Sequence, residues 1–125
     1  MEFNSQKAIY MQIVDFMLEN ILTEKLKEGD RIQSIRELAA ELQVNPRTVI
    51  RTYNYLNDFE IIFNKRGLGY FIAEDALLKA RDLRRTTFMN EYIPELFKNM
   101  RLLKIDFEEL YKIYNQNLIN EGHEN

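Results

Sequence analysis

Apolar residues recur at helical spacing through the first part of the chain. Ile9, Ile13, Phe16 and Met17, then Leu18, Ile21 and Leu22, form a widening stripe that predicts a helix over 7–25. Gly29-Asp30 reads as the turn that follows. A short second helix comes next. Ser34 is its N-cap and Glu37 completes a capping box, while Ile35, Leu38, Ala39 and Leu42 supply one apolar face. After Gln43-Val44, Asn45 can cap and Pro46 suits the first turn of a third helix over 46–58. Val49, Tyr53 and Leu56 mark its inner side, and the outward positions are sought among Arg47, Thr48, Arg51 and Thr52.

The period then shortens. Glu60-Ile61-Ile62-Phe63 and Gly69-Tyr70-Phe71-Ile72 are short runs rich in strand formers, separated by the basic loop Asn64 to Leu68. They predict a hairpin that must pack on the helices, because an isolated hairpin is barely stable. Residues 76–102 turn helical again, with Leu77, Ala80, Leu83, Tyr92, Ile93, Leu96, Phe97 and Met100 on the apolar side. Pro94 either kinks this helix or opens a new one after a break near Thr86-Thr87; the kinked helix is the reading adopted. Asp106 caps a last helix, with Glu109 at the capping-box position and Phe107, Leu110, Tyr111, Tyr114 and Leu118 as its apolar residues. The final residues, 120–125, are expected to fray. There is no internal repeat. The expected fold is mainly α with a small β-hairpin. It comprises a winged helix-turn-helix over 1–74, then a two-helix tail over 75–125 with the boundary near Glu74.

Composition narrows the function. The chain of 125 residues has no cysteine, which excludes a disulfide scaffold, a thiolate metal site and a cysteine nucleophile. No apolar run reaches the length of a membrane span, and the N-terminus lacks the pattern of a signal peptide. A cytoplasmic location, with no membrane partner, is expected. The net charge of −3 is unusual for a nucleic-acid binder, so its distribution matters more. Arg31, Arg36, Arg47 and Arg51 gather in the helix pair, and Lys65-Arg66 mark the hairpin loop.

Two short helices with arginine and threonine near the start of the second fit a helix-turn-helix, whose second helix enters the major groove N-terminus first. Arg47 and Arg51 lie on one face, and each guanidinium fork suits the paired acceptors of guanine. Thr48 can meet a phosphate or a thymine methyl, and Asn45 caps the helix and can touch phosphate. Arg36, early in the preceding helix, faces a phosphate; its alternative is a surface pair with a glutamate. Lys65, Arg66, Gly67 and Gly69 form a small basic wing tip suited to the minor groove.

Together these residues resemble the GntR family of bacterial transcription regulators. Gly29 to Ala39 is similar to that family's G-D-x-L-P-S-x-R-E-L-A signature. Val44 to Val49 with Arg51, Tyr53 and Leu56 resembles its recognition helix, and Arg66 to Phe71 its R-G-x-G-x-F/Y wing. The N-P-R-T-V wording and short tail resemble the YtrA-like subfamily, which carries two dimerising helices after the wing and often represses nearby ABC transporter genes. The resemblance implies DNA contacts by Arg36, Arg47, Thr48, Arg51 and Gly67, with Arg66 beside them. Gln33 stands where the family usually has proline, and Glu60 where it usually has glycine. The latter departure implies that the backbone of the turn before the wing either differs from the family's or is strained.

The partners expected are double-stranded DNA and a second copy. Leu83, Tyr92, Ile93, Leu96, Phe97, Met100, Phe107, Leu110, Tyr111 and Tyr114 are the candidate dimer residues, because a tail this short cannot bury them alone. The same aromatics could line a ligand pocket, but dimer core is the preferred reading. Arg81, Arg84 and Arg85 read as a solvated face or as partners of acids across a dimer. An effector is left open. No enzyme is expected, and no cofactor or metal. His123, the single histidine, lies near the end, and Gly67-Leu68-Gly69 lacks the lysine and threonine of a nucleotide loop. The alternative function is a winged helix that binds protein without reading DNA.

Overall fold

The computed structural model describes residues 1–124, the side chains of 123 and 124 excepted. The chain forms two compact units, Met1–Arg85 and the residues from Thr86 on.

In the first unit, α1 (Ile9–Leu22) is shorter at both ends than the pattern predicts. Gln12 explains the start. Its buried amide accepts from the Asn4 N–H at 3.0 Å and donates to the Asn4 and Lys7 carbonyls at 2.8 and 2.7 Å. Residues 4–7 are thereby folded back on the helix instead of extending it. At the other end Glu24 turns left-handed, with φ 60°. Ile13, Val14, Met17, Leu18 and Ile21 enter the core, whereas Ile9 and Phe16 stay exposed.

Next come α2 (Ile35–Leu42) and α3 (Pro46–Asp58), within a residue of their expected bounds. Leu38 and Ala39 of α2 meet Val49, Tyr53 and Leu56 of α3 in the core cluster that α1 completes. Thr52 corrects the sequence reading. It is fully buried, its hydroxyl donating to the Tyr10 carbonyl at 3.0 Å and the Thr48 carbonyl at 3.1 Å.

The hairpin pairs β1 (Ile62–Lys65) with β2 (Gly69–Ile72), antiparallel, from Ile62 opposite Ile72 to Lys65 opposite Gly69. β1 thus lies further along than Glu60–Phe63. Glu60 takes φ 59°, and its N–H donates to the Asn57 carbonyl at 2.9 Å, so it closes the preceding turn, while its carbonyl accepts from Lys79 Nζ at 3.1 Å. Asn64 and Lys65, read as loop, are strand. The hairpin packs on the helices as required: Ile61, Ile62 and Ile72 are buried in the shared core. Residues 29–32 add an edge that the sequence showed only as a turn. Ile72 N–H donates to the Asp30 carbonyl at 2.8 Å, and Ile32 N–H to the Tyr70 carbonyl at 3.0 Å. Arg31 bridges antiparallel to Phe71.

The helix α4 (Ala76–Thr87) buries Ala76 and Ala80 in this core. The compact unit therefore runs to Arg85, past the sequence boundary at Glu74.

The second unit opens on a π-helical turn, Phe88–Tyr92, and continues as α5 (Ile93–Leu103) and α6 (Phe107–Glu124). Thr87, Tyr92 and Ile93 all keep right-handed helical torsions, so no break falls at Thr86-Thr87. The wide turn lies immediately before Pro94, where the missing N–H and the ring's bulk disfavour regular α pairing. Lys104 ends α5 at φ 59°, and Asp106 Oδ1 caps α6 by accepting from the Glu109 N–H at 2.9 Å. Helix α6 continues through the segment expected to fray; Asn125 and the His123 side chain lie outside the described residues. No residue from 86 to 122 is fully buried.

Candidate nucleic-acid interface

The geometry of the helix pair is set by three capping residues. Ser34 Oγ accepts from the Glu37 N–H at 3.1 Å, and Glu37 Oε1 from the Ser34 N–H at 3.3 Å, closing the expected capping box. Hydrogen bonding to the Glu37 carboxyl, from the Ser34 hydroxyl first and then from the Ser34 N–H, holds it below its ordinary range, with the Arg31 charge a smaller influence in the same direction. Gln43 turns left-handed at φ 56° and ends α2, and the Val44 N–H reaches the Ala39 carbonyl at 3.0 Å. Asn45 Oδ1 then accepts from the Arg47 N–H at 2.9 Å and starts α3 with Pro46 in its first turn. The Asn45 oxygen is thus engaged as a cap, while its residue remains exposed.

Tyr53 fixes the pair from within. It is 1% exposed, and its hydroxyl donates to the Gln33 carbonyl at 2.7 Å. Its ring meets Tyr70 of β2 edge-on, with centroids 4.8 Å apart. Burial, then the neighbouring Tyr70 and Glu37, raises the Tyr53 phenol well above its ordinary range. One side chain thereby joins the approach to α2, the recognition-type helix α3 and the hairpin.

Arg36, Arg47 and Arg51 are all exposed, Thr48 half-buried. Lys65, Arg66 and Gly67 are exposed in the wing and Gly69 is half-buried. None of Arg36, Arg47, Arg51, Lys65 or Arg66 makes an ion pair or a side-chain hydrogen bond among the described residues. The glutamate pairing considered for Arg36 is therefore not formed. Arg51 does have a packing partner: its guanidinium carbon sits 3.9 Å from the centre of the Tyr10 ring. In the more remote cluster, Arg84 Nη1 lies 3.5 Å from the Asp15 carbonyl.

The wing turns at Arg66-Gly67-Leu68, where the Leu68 N–H donates to the Lys65 carbonyl at 2.8 Å. Gly67 has φ 80°, a torsion that side chains disfavour, with open space around it. Gly69 has φ 108°, a torsion that side chains disfavour, and a Cβ there would stand 3.3 Å from Arg31 Nε, a close approach that a small shift of the arginine side chain relieves. Arg31 therefore lies against the wing and extends its basic surface, a placement that sequence reasoning missed. Its strand-like bridge to Phe71 joins distant segments, so no local pattern announces it.

The candidate dimer residues divide between the units. Leu83 packs partly on the core of the first. The other nine belong to the second: Tyr92, Phe97, Phe107, Tyr111 and Tyr114 are exposed, and Ile93, Leu96, Met100 and Leu110 half-buried. Leu102 and Leu103, each 67% exposed, join this apolar set although the sequence reading did not single them out. Among the described residues, no three His, Cys, Asp or Glu side chains cluster so as to hold a metal ion, and no helix is long and apolar enough to cross a membrane.

No family model matches the chain. It is, however, 35% identical over 109 residues to the uncharacterized HTH-type transcriptional regulator YhcF of Bacillus subtilis, covering 87% of this chain and 88% of that one. It is 32% identical over 108 residues to the HTH-type transcriptional repressor YtrA of the same organism, covering 86% and 82%. A solved GntR family transcriptional regulator from Listeria monocytogenes superposes with a TM-score of 0.77 at 33% identity, over 91% of this chain and 98% of the other. With near full-length similarity on both counts and the same helix pair and wing, the chain belongs to the GntR family of DNA-binding transcriptional regulators.

Proposed function

We propose that this protein is a homodimeric, cytoplasmic repressor of the YtrA-like branch that binds a short inverted-repeat operator. The observation that carries the reading is the row of exposed arginines, Arg36, Arg47 and Arg51, whose donors have no hydrogen-bond partner among the described residues, on and beside a capped recognition helix. Arg47 and Arg51 read guanines, Thr48 and Arg36 meet phosphate, and Asn45 fixes the start of the helix where a phosphate approaches. Lys65, Arg66, Gly67 and Gly69 bring the wing to the minor groove. The functional division is a DNA-reading part over 1–74 and a pairing part over 75–125, even though the first turns of α4 also serve the core of the first part.

Pairing is supported by the second unit, in which large apolar side chains stand exposed with no fully buried residue from 86 to 122. Soluble proteins seldom leave such a surface uncovered. A twofold dimer presents two recognition helices to major grooves about one helical turn apart. Repression follows by occlusion of the promoter. The likeness to the YtrA repressor supports this sign of regulation, and transporter genes are the targets the family resemblance suggests.

Selection of bound duplexes from a randomised pool tests the reading. The expected product is an inverted repeat with half-sites about 10 base pairs apart centre to centre, or a near multiple. Recovery of no preferred sequence at moderate salt would instead favour a protein-binding winged helix.

A further inference from the structure

Among the described residues Arg51 is exposed and has no hydrogen-bonded partner, yet it is not loose. Its guanidinium carbon lies 3.9 Å from the centre of the Tyr10 ring on α1. At that separation the planar cation rests on the face of the ring. Stacking occupies the face of a guanidinium and leaves its five N–H donors, which point outward in the plane, free for a base. The two contacts are compatible, so the ring is a platform for the donor fork and not a competitor for it.

The platform itself is fixed. The Tyr10 carbonyl accepts the hydroxyl of Thr52, at 3.0 Å, and Thr52 is fully buried. Thus one residue of α1 holds two successive residues of the recognition helix, Thr52 through its main chain and Arg51 through its ring. A free arginine side chain carries much rotamer entropy, which binding must remove. Resting on Tyr10, Arg51 has surrendered part of it before DNA arrives.

We propose that Tyr10 is a positioning residue for base reading: it presents the Arg51 guanidinium to the major groove and so sharpens sequence discrimination. This rests on the DNA-reading role given to Arg51 above. The Thr52 bond goes to the Tyr10 main chain, so replacing the Tyr10 side chain leaves it in place.

The test uses the full chain and the duplex selected from the randomised pool, together with copies of that duplex carrying single base-pair substitutions. Affinities are measured for wild type, Tyr10→Phe, Tyr10→Leu, Arg51→Ala and the Tyr10→Leu/Arg51→Ala double variant. Tyr10→Leu is expected to reduce discrimination at the base pair read by Arg51 by about three- to five-fold, and to leave the other positions unchanged. Tyr10→Phe, which keeps the ring, retains wild-type discrimination. Adding Tyr10→Leu to Arg51→Ala changes discrimination no further. Thermal unfolding of each variant identifies any that fail to fold; should Tyr10→Leu be one, Tyr10→Met takes its place. Loss of discrimination at no position in Arg51→Ala overturns the reading of Arg51 itself. Loss in Arg51→Ala with none in the folded Tyr10 variant overturns the positioning role alone, as does an equal effect of the Tyr10 change in both backgrounds, which marks a general packing contribution.

Discussion

At the scale of single residues, Tyr53 is the most heavily committed side chain. It is buried, gives its hydroxyl to the Gln33 carbonyl at 2.7 Å and meets the Tyr70 ring. Tyr53→Phe removes the hydrogen bond and keeps the ring, so a loss of about 1 kcal/mol in urea unfolding is expected. Its pH dependence has a definite sign. The folded phenol is raised above its ordinary value of about 10 by burial first. Below pH about 10 both states are protonated and the contribution is complete; above it the unfolded chain ionises first and stability falls until the folded value is passed. Wild type should therefore lose stability through this alkaline range more steeply than Tyr53→Phe, as urea midpoints at each pH will report. Equal slopes would assign the alkaline loss to other groups. Tyr53 was legible as a core residue because it falls on the Val49–Leu56 stripe. Thr52 falls on the same stripe, three residues after Val49, but its polar side chain concealed its burial. The approaches of Arg51 to Tyr10 and of Arg31 to Gly69 were not legible, since each joins residues far apart in sequence through packing alone.

At the scale of elements, the helix pair was read closely because caps are local chemistry. Ser34, Glu37, Asn45 and Pro46 announce their roles within four residues, and the expected bonds are formed. Asn45→Ala is expected to cost about 1 kcal/mol of stability, and to weaken all duplexes alike without changing base preference, which parallel unfolding and binding curves will check. The capping box adds an acid dependence. Glu37 is held below its ordinary range by Ser34, so its contribution is present above the unfolded carboxylate value and is lost as pH falls through the lower folded value. Strand limits were less legible. The first strand was placed too early because Glu60-Ile61 looks β-prone, whereas Glu60 adopts φ 59° and closes a turn. The family's glycine at this position indicated such a turn, and the departure locates strain in this chain. Glu60→Gly should relieve it and raise stability by about 0.5–1 kcal/mol, the gain reduced by the extra freedom glycine has when unfolded. A lower urea midpoint in that variant would show that Glu60 is held by more than the bond from Lys79 to its carbonyl. The π turn before Pro94 was also beyond sequence reading, since proline signals disruption without saying how the helix accommodates it.

At the scale of the whole molecule, the acidic total and the exposed basic residues of the helix pair and wing are reconciled by distribution. Arg36, Arg47, Arg51, Lys65 and Arg66 form no ion pair among the described residues, while the acids lie largely elsewhere in a chain of net charge −3. Such a chain suits a defined site better than general coating of DNA. The second unit carries many exposed apolar residues. Phe97→Glu with Tyr111→Glu changes two exposed positions, at 50% and 55% exposure, and should leave each chain folded. In sedimentation the wild type is expected as a dimer and the double variant as a folded monomer with much weaker binding to the inverted repeat. A wild-type monomer at tens of micromolar, an order-of-magnitude limit for a functional dimer, would remove the pairing role. Composition alone could suggest that the tail needed a partner, but not how few of its residues would be buried in a single chain.

Arg47 at the start of α3 is expected to read a base in each half of a symmetric site. Fluorescence anisotropy with the selected duplex, at several salt concentrations, compares wild type with Arg47→Ala most directly. Affinity is expected to fall linearly with salt on logarithmic axes, with a loss in Arg47→Ala of about 1–3 kcal/mol confined to one symmetry-related base pair per half-site. An Arg47→Ala variant that is folded and keeps the full base preference of the wild type would remove the base-reading role from Arg47.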